Sequence, residues 1–226
     1  MTDMTRKIVI FGCGNMTVDL LNYPLGQSII TDIVADDNSR LVDIEQMLGY
    51  SINYHTSIDT IDDFKKKHCV ISIAEPCVIK VIREKILKAG GTFINCIHPT
   101  ADVSRHASIG GGVIIGPFTY VGPYAVIGNN CIINTHCTIG HDVWLGNGVV
   151  CSPHCDLNGG VTIGDYSFLS ARTTIDPKVT VQSFCKTTSG ITIKEDVNKG
   201  SLVFTQQKVN TVSMYDKTTG RTKFQK

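Results

Sequence analysis

The residues best suited to proton transfer in this chain are His141 and the aspartate that follows it, Asp142. Imidazole titrates closer to neutral pH than any other unperturbed side chain, so a histidine can accept a proton from an attacking nucleophile. A neighbouring carboxylate can orient the ring and stabilise its charged form. We therefore predict that His141 acts as a general base with Asp142 as its partner. The alternative is a surface histidine without a catalytic role.

A six-residue repeat determines where this pair can lie. Fourteen of fifteen residues at this spacing are Ile, Leu or Val, and the full set is Ile97, Val103, Ile109, Ile115, Val121, Ile127, Ile133, Ile139, Leu145, Cys151, Leu157, Ile163, Leu169, Ile175 and Val181. This period fits neither an α-helix nor strands joined by hairpins. It predicts short strands and tight turns, three hexapeptides to a coil, with coils stacked at about 4.8 Å around an aliphatic interior. His141 is third in its hexapeptide and therefore faces outward at a turn.

Residues 1–96 differ from the repeat, because apolar strands alternate there with amphipathic segments. The pattern predicts strands at 7–11, 29–35, within 50–55, 69–73 and 92–97, helices at 16–23 and 76–89, and an amphipathic segment at 58–67. Such alternation is typical of a small doubly wound, Rossmann-like parallel sheet. We therefore predict an α/β domain at 1–96, a parallel β-helix at 97–197, and a polar tail of unassigned structure at 198–226.

The first predicted strand is followed by a glycine turn, Gly12-Cys13-Gly14-Asn15, in which Thr17 replaces the third glycine of a dinucleotide fingerprint. Two glycines allow the backbone to approach a ligand phosphate. Asp36 and Asp37 end the second strand, where an acid reaches a ribose or a base. A nucleotide site is one interpretation, and a small domain that binds nothing is another. The missing glycine and the attached repeat disfavour NAD.

Composition limits the class of protein further. The chain has 21 basic and 20 acidic residues, which gives no electrostatic argument for binding nucleic acid or an anionic membrane. We find no signal peptide and no apolar run long enough to cross a bilayer, and we therefore expect a cytoplasmic protein. The nine cysteines are an odd number scattered through predicted strands and turns, which favours reduced thiols.

A metal site is a competing interpretation of the histidines. His136 and His154 are separated by one coil and should stack on one face, with Phe118 below them and Arg172 above. The spacing from His136 to His141 is similar to that in zinc carbonic anhydrases that are built on a left-handed β-helix. The turn register does not support a shared site, and we predict that no metal is bound.

The segment 133–164 carries a family resemblance. It contains Ile133-Asn-Thr, then the histidine and acid at 141 and 142, then Ile163-Gly164, and it resembles, without a gap, bacterial sugar-nucleotide acyltransferases of the PglD/NeuD type. The stretch from Ile97 to Val103 is similar to the junction of that family. The glycine turn is similar to the turn in its N-terminal domain, and the resemblance covers about residues 5–196.

The resemblance implies a left-handed β-helix and an acetyl-CoA-dependent N-acyltransferase that acts on a nucleotide-linked 4-amino-4,6-dideoxy sugar. His141 would take a proton from the acceptor amine in a direct transfer from donor to acceptor, while Asp142 holds the ring. The resemblance also implies a homotrimer and a product used in a surface glycan such as lipopolysaccharide or O antigen. Carried over by position, the substrate-binding residues are Gly12, Cys13, Gly14, Asn15, Asp36 and Asp37, and the CoA-binding residues are Val150, Ala171, Ser189 and Gly190.

The chain also departs from the family pattern. Asn15 stands where the family often has histidine, Val150 stands where histidine is common, and His154 stands where glycine is usual. A family element that closes the β-helix is replaced by Val203-Phe-Thr-Gln-Gln-Lys208. These departures make a longer acyl-CoA an alternative donor. Sugar O-acetylation is an alternative reaction, and a non-catalytic nucleotide-sugar-binding or assembly protein is an alternative role.

Overall fold

The structure, a computed structural model, describes residues 6–23, 25 and 28–205, together with the short strands at 215–216 and 221–222. The chain begins with a five-stranded parallel sheet in the order β3-β2-β1-β4-β5. Its strands are β1 (Arg6–Phe11), β2 (Ser28–Val34), β3 (Asn53–His55), β4 (His68–Ile71) and β5 (Thr92–Phe93). Its helices are α1 (Asn15–Leu20), α2 (Leu41–Leu48) and α3 (Pro76–Lys88), with short 3₁₀ helices at Ile58–Thr60 and Phe64–Lys66.

This sheet is the doubly wound arrangement that the sequence predicts, with local differences. Helix α2 was not expected. The amphipathic segment at 58–67 forms two 3₁₀ helices because Asp63 between them adopts a left-handed backbone conformation, with φ of 53°. The strand expected at 92–97 is divided, since β5 pairs with β4 and the next strand belongs to the β-helix.

Eighteen strands of two residues each then form three parallel sheets. They are β6 (Cys96–Ile97), β7 (Asp102–Val103), β8 (Ser108–Ile109), β9 (Ile114–Ile115), β10 (Tyr120–Val121), β11 (Val126–Ile127), β12 (Ile132–Ile133), β13 (Thr138–Ile139), β14 (Trp144–Leu145), β15 (Val150–Cys151), β16 (Asp156–Leu157), β17 (Thr162–Ile163), β18 (Phe168–Leu169), β19 (Thr174–Ile175), β20 (Thr180–Val181), β21 (Lys186–Thr187), β22 (Thr192–Ile193) and β23 (Leu202–Val203). The first face contains β6, β9, β12, β15, β18, β21 and β23. The second face contains β7, β10, β13, β16, β19 and β22, and the third contains β8, β11, β14, β17 and β20.

Along each face a strand pairs with the strand one coil further along the chain, and the spacing is 18 residues, as from Tyr120 to Thr138, except for the 16 residues from Lys186 to Leu202 at the end. The second residue of each strand points inward, and the aliphatic column that the repeat predicts forms the core of the β-helix. At Gly140 a Cβ atom would lie 2.8 Å from the carbonyl oxygen of Leu157, so the turn requires glycine at this point. The predicted fold class, an α/β domain followed by a left-handed parallel β-helix, is confirmed.

Cysteines fill part of this interior. Cys131 donates a hydrogen bond from Sγ to the carbonyl oxygen of Gly146 at 3.0 Å, and Cys137 donates to Ser152 at 3.2 Å. Burial raises the pKa of Cys131 to about 12, so its thiol is protonated and unreactive. All nine cysteines of the chain are free.

The β-helix extends beyond residue 197. Strand β23 pairs with β21, and Val203 packs against the core of the β-helix, so part of the predicted tail completes a coil. Val203 lies outside the six-residue frame because an irregular loop intervenes after 193, which explains why the periodicity missed it. Further on, Tyr215–Asp216 and Arg221–Thr222 form an antiparallel pair, and residues 206–208 of the substituted closing element lie outside the described residues.

The N-terminal domain packs on the first face of the β-helix. The outward side chains of Ile114, Ile132 and Val150 are buried there and share a cluster with Ile79 of α3. The corner between the second and third faces therefore lies on the opposite side of the triangular coil. Within the described part of the chain, no helix has the length and apolar character needed to cross a bilayer.

Candidate active site

A cavity of about 1000 Å³ opens at the edge of the N-terminal sheet where β1, β2 and β4 end. The carboxyl ends of parallel strands are the usual place for ligands in such folds. All six predicted substrate-binding residues line this cavity, namely Gly12, Cys13, Gly14, Asn15, Asp36 and Asp37. The structure therefore brings the glycine turn and the two aspartates to one site.

The glycine turn is held by the threonine that replaces the third glycine. Thr17 Oγ1 donates to the carbonyl oxygen of Gly12 at 3.0 Å and lies 2.7 Å from Ser72 Oγ. Gly12 has φ of 123°, and a Cβ atom there would lie 2.8 Å from Ser72 Oγ. At Gly14, by contrast, none of the described residues beyond its chain neighbours has an atom within 4 Å of the position a Cβ would take. Gly12 is thus required for packing, whereas Gly14 leaves open space above the turn.

The two aspartates differ in their hydrogen bonds. The carboxylate of Asp37 accepts hydrogen bonds from the backbone N–H of Ser39 at 2.8 Å and from its hydroxyl at 3.0 Å. Within the described residues, the carboxylate of Asp36 has no hydrogen-bond partner. Asp37 therefore orders its own loop, and Asp36 is the carboxylate with capacity to accept hydrogen bonds from a ligand.

Sequence reasoning missed Arg40, whose guanidinium contacts Asn15. Asn15 Oδ1 accepts hydrogen bonds from Arg40 Nε at 3.1 Å and from Nη2 at 2.8 Å. Arg40 Nη1 also lies 2.6 Å from Asp43 Oδ2. No motif in the sequence marks Arg40, because it lies immediately before α2, a helix that the sequence pattern does not predict.

Helix α3 provides another part of the cavity wall. Val78, Val81 and Ile82 contribute apolar side chains, and Lys85 and Lys88 contribute two cations. An apolar wall suits the face of a base or a sugar ring, and lysine is a common ligand of phosphate. These cations were also missed, since the sequence marks α3 only as an amphipathic helix.

Cys13 lines the cavity, and Tyr54 of β3 contacts Ala35, the residue that follows β2. Burial raises the pKa of the Cys13 thiol, so Cys13 is a neutral part of the lining and not a nucleophile. The hydroxyl of Tyr54 donates to the carbonyl oxygen of Ala35 at 2.6 Å. At the end of β2, the carboxylates of Asp36 and Asp37 are therefore the side-chain groups that can make polar contacts with a ligand.

His141 and Asp142 lie on the corner between the second and third faces. Their side chains are 67% and 60% exposed, and His141 Nδ1 lies 2.7 Å from Asp142 Oδ2. Because an ionised carboxylate only accepts hydrogen bonds, this contact places the proton of a neutral ring on Nδ1 and leaves the lone pair on Nε2. The ring packs over Gly159 of the next coil, where a Cβ atom would lie 2.4 Å from His141 Nε2. The pair can thus act as an accessible base with a fixed tautomer.

The cavity and this pair belong to opposite sides of one chain. The N-terminal domain covers the first face, whereas His141 lies on the corner between the other two. One chain therefore does not bring the six substrate-binding residues together with the predicted base. A site that uses both needs a second copy of the chain.

The four predicted CoA-binding residues separate into two groups. Val150 is 2% exposed and packs against the N-terminal domain, so its side chain is not accessible to a ligand. The physical reason is that Val150 is an outward apolar residue on the face that the N-terminal domain covers. Ala171, Ser189 and Gly190 lie together on the corner between the first and second faces, where the Gly190 N–H donates to the Ala171 carbonyl at 2.9 Å.

The same corner carries a ladder of rings. Phe118 and His136 stack with centroids 5.1 Å apart, and His136 and His154 stack at 5.0 Å with planes 5° apart, as the register predicts. Parallel rings do not direct their nitrogens to a common point. Among the residues that the structure describes, no group of three or more histidine, cysteine or acidic side chains could hold a metal ion.

Comparison with known proteins agrees with the fold. A family model described as bacterial transferase hexapeptide (six repeats) matches residues 106–141. No curated protein matches the chain. Among solved structures, the acetyltransferase domain of PglB from Neisseria gonorrhoeae is 25% identical, with a TM-score of 0.79, over 89% of this chain and 97% of that domain. The same domain has also been solved with acetyl coenzyme A.

Two further structures extend this comparison. A variant of GDP-perosamine N-acetyltransferase from Caulobacter crescentus, in complex with CoA and GDP-perosamine, is 24% identical, with a TM-score of 0.79, over 88% of this chain and 93% of that one. WeeI from Acinetobacter baumannii is 18% identical, with a TM-score of 0.61, over 84% of this chain and 94% of its own.

The fold and the six-residue repeat agree with those of hexapeptide-repeat acyltransferases. The similarity to the PglB acetyltransferase domain extends over both the N-terminal domain and the β-helix. The resemblance to sugar-nucleotide acyltransferases of the PglD/NeuD type is thereby confirmed.

Proposed function

We propose that the protein is an acetyl-CoA-dependent N-acetyltransferase that acts on a nucleotide-linked amino sugar, with the 4-amino-4,6-dideoxy type favoured. The observation that carries this proposal is the His141–Asp142 contact of 2.7 Å on an exposed corner. It is supported by the separate cavity on the N-terminal domain and by the ligands of the similar structures, which are CoA, acetyl-CoA and GDP-perosamine. A cavity of about 1000 Å³ is large enough for a nucleotide sugar.

In the proposed mechanism, His141 Nε2 accepts the proton of the acceptor amine while the nitrogen forms a bond to the acetyl carbonyl carbon. Asp142 accepts the Nδ1 hydrogen bond and stabilises the imidazolium that results. Acetyl-CoA supplies the acetyl group as a thioester, and the proton held on His141 passes to the leaving sulfur. The products are the amide and free CoA, and no group of the protein is acylated.

The acceptor and the base are brought together in this proposal by a homotrimer. The cavity of one subunit supplies the nucleotide sugar, and the His141 corner of a neighbour supplies the base. CoA lies along the corner that carries Ala171, Ser189 and Gly190, and Val150 takes no part because the N-terminal domain covers it. Val150, where the family commonly has histidine, therefore does not contact the donor in this proposal. Its departure from the family pattern is then no reason to expect a longer acyl-CoA.

We further propose that the product enters a bacterial surface glycan such as lipopolysaccharide or O antigen. Nucleotide sugars and acetyl-CoA are both intracellular metabolites, which favours a cytoplasmic reaction.

The test is a transfer assay with purified protein, acetyl-CoA and a panel of UDP-, dTDP- and GDP-linked amino sugars. We expect CoA release with one of these acceptors and a loss of roughly a hundredfold or more in His141→Ala, the usual scale for removal of a general base. His106→Ala is the matched control, because His106 is exposed on the same corner in an earlier coil. Unchanged turnover in His141→Ala would remove His141 from the mechanism, and silence across the panel would favour an oxygen acceptor or a binding role.

A further inference from the structure

The contact between Arg40 and Asn15 fixes the orientation of an amide that lines the cavity. Arginine has five N–H donors and no acceptor, so the group that faces Arg40 must be the oxygen of the Asn15 amide. The two hydrogen bonds, at 3.1 and 2.8 Å, both end on Oδ1. The NH₂ group of Asn15 consequently faces away from Arg40.

Arg40 is itself held by a second contact. Its Nη1 atom lies 2.6 Å from Asp43 Oδ2 in the first turn of α2. The guanidinium therefore bridges α2 and the Asn15 amide. With Arg40 in this position, rotation of the Asn15 amide by half a turn would place its NH₂ group against N–H donors.

The oriented amide adds a donor to a cavity that also contains cations. Asn15 lines the cavity together with Lys85 and Lys88, and the space above Gly14 is open. These groups suit a ligand that only accepts hydrogen bonds and carries negative charge, which describes phosphate oxygens. Asp36 lines the cavity just after the end of β2, and a carboxylate there would repel phosphate but accept hydrogen bonds from a ribose or a base.

We propose that Asn15 donates a hydrogen bond to the diphosphate of a nucleotide ligand, and that Arg40 is the positioning residue that fixes the Asn15 amide for this contact. This inference rests on the proposed function, since it concerns the acceptor of the same site. It assigns the phosphate end of the ligand to Asn15 and the nucleoside end to Asp36.

Two substitutions at one position distinguish this role from a structural one. In Asn15→Asp the carboxylate still accepts both hydrogen bonds from Arg40, but it offers an acceptor and a charge where the NH₂ group was. In Asn15→Ala both the Arg40 contact and the NH₂ group are lost. If Asn15 served only to hold Arg40, Asn15→Asp would bind ligand as well as the wild type, and Asn15→Ala would bind more weakly.

Calorimetric titration with UDP, GDP and dTDP, and with the matching nucleosides, provides the measurement. We expect diphosphate binding to weaken about tenfold in Asn15→Ala and about a hundredfold in Asn15→Asp, because the aspartate loses a donor and also repels the phosphates. Binding of the nucleoside should change less than twofold in both variants. Thermal melting of each variant confirms that it is folded.

Arg40 is tested through a double-mutant cycle on the same binding assay. Arg40→Met should weaken diphosphate binding about fivefold in the wild-type background and have almost no further effect in Asn15→Ala, because Arg40 acts through Asn15. Equal effects in both backgrounds would show that Arg40 contacts the ligand independently and would overturn its positioning role.

The outcomes also separate this inference from the proposed function. Binding of a diphosphate to the wild type, with Asn15→Asp no weaker than Asn15→Ala, would overturn the inference and leave the acceptor class intact. Failure of the wild type to bind any of the three nucleotides would overturn both. The expected order is wild type tightest, Asn15→Ala intermediate and Asn15→Asp weakest.

Discussion

Asp32, in the middle of β2, is predicted to make a large and pH-dependent contribution to stability. Its side chain is 1% exposed and contacts Lys67 Nζ at 2.6 Å and His55 Nε2 at 3.0 Å. Asn53 Nδ2 donates a further hydrogen bond at 3.2 Å. Asp32→Asn keeps the shape of the side chain but removes the negative charge that compensates the buried ammonium of Lys67.

The expected cost follows from this geometry. Breaking a buried ion pair by removing one partner typically destabilises a protein by about 3–5 kcal/mol, because a charge stays buried without its counterion. Burial alone would raise the pKa of Asp32, but hydrogen bonds from Lys67, Thr31, His55 and Asn53 lower it below its ordinary value of 3.8. The group therefore stabilises the fold above the pKa of the unfolded chain, and this contribution is lost as the pH falls through the lower pKa of the folded state.

Urea unfolding of the wild type and of Asp32→Asn, measured from pH 7 down to pH 3, tests this reasoning. The difference in unfolding free energy should be about 3 kcal/mol or more at pH 7, stay constant to about pH 4, and shrink below it. Asp36→Asn is a suitable control, because Asp36 has no hydrogen-bond partner within the described residues. A difference below about 1 kcal/mol at pH 7, or one that does not change with pH, would refute the assignment of the charge.

Three further predictions concern the site and the thiols. Gly159→Ala should lower acetyl transfer about tenfold or more without unfolding the protein, because its Cβ would displace the His141 ring; normal turnover would show that the ring position is not critical. Asp36→Asn should weaken nucleotide binding about tenfold, as measured by calorimetry. Asp37→Asn should chiefly lower the melting temperature, because its hydrogen bonds with Ser39 are weakened. The reverse pattern would contradict the roles assigned to the two aspartates. Iodoacetamide should modify Cys77 alone in the native protein and all nine cysteines after unfolding, as mass spectrometry would show; rapid labelling of a second thiol would indicate that the core opens.

The sequence was sufficient for the β-helix because each coil repeats the same local physics. An aliphatic residue every six positions can be buried in only one way when strands are two residues long, so the coil follows from the period. Val203 shows where this reasoning ends. It occupies the core of the β-helix, but the loop after residue 193 removes it from the frame, and no periodicity can indicate a residue that is out of register.

The glycine turn and the two aspartates could be predicted to share a site because parallel strands place their carboxyl ends at one edge. The burial of Val150 could not be predicted, since it depends on how the N-terminal domain packs on the first face and not on the local sequence. Arg40 was missed for a similar reason. Helix α2 has no side-chain cap at its start, and nothing in the sequence marks Arg40 as a neighbour of Asn15.

The equal spacing of the coils has a consequence for how such a protein can evolve. Duplication of one coil, 18 residues, would lengthen the β-helix by about 4.8 Å and leave every corner column in line. An insertion within the stack that is not a multiple of six residues would turn core residues outward, and one of six or twelve residues would move His141 to a different corner. The β-helix therefore tolerates a change in length as a whole coil, or as an irregular loop near the end of the stack such as the one between 193 and 202. The corners can in this way acquire new ligand contacts while the interior stays the same.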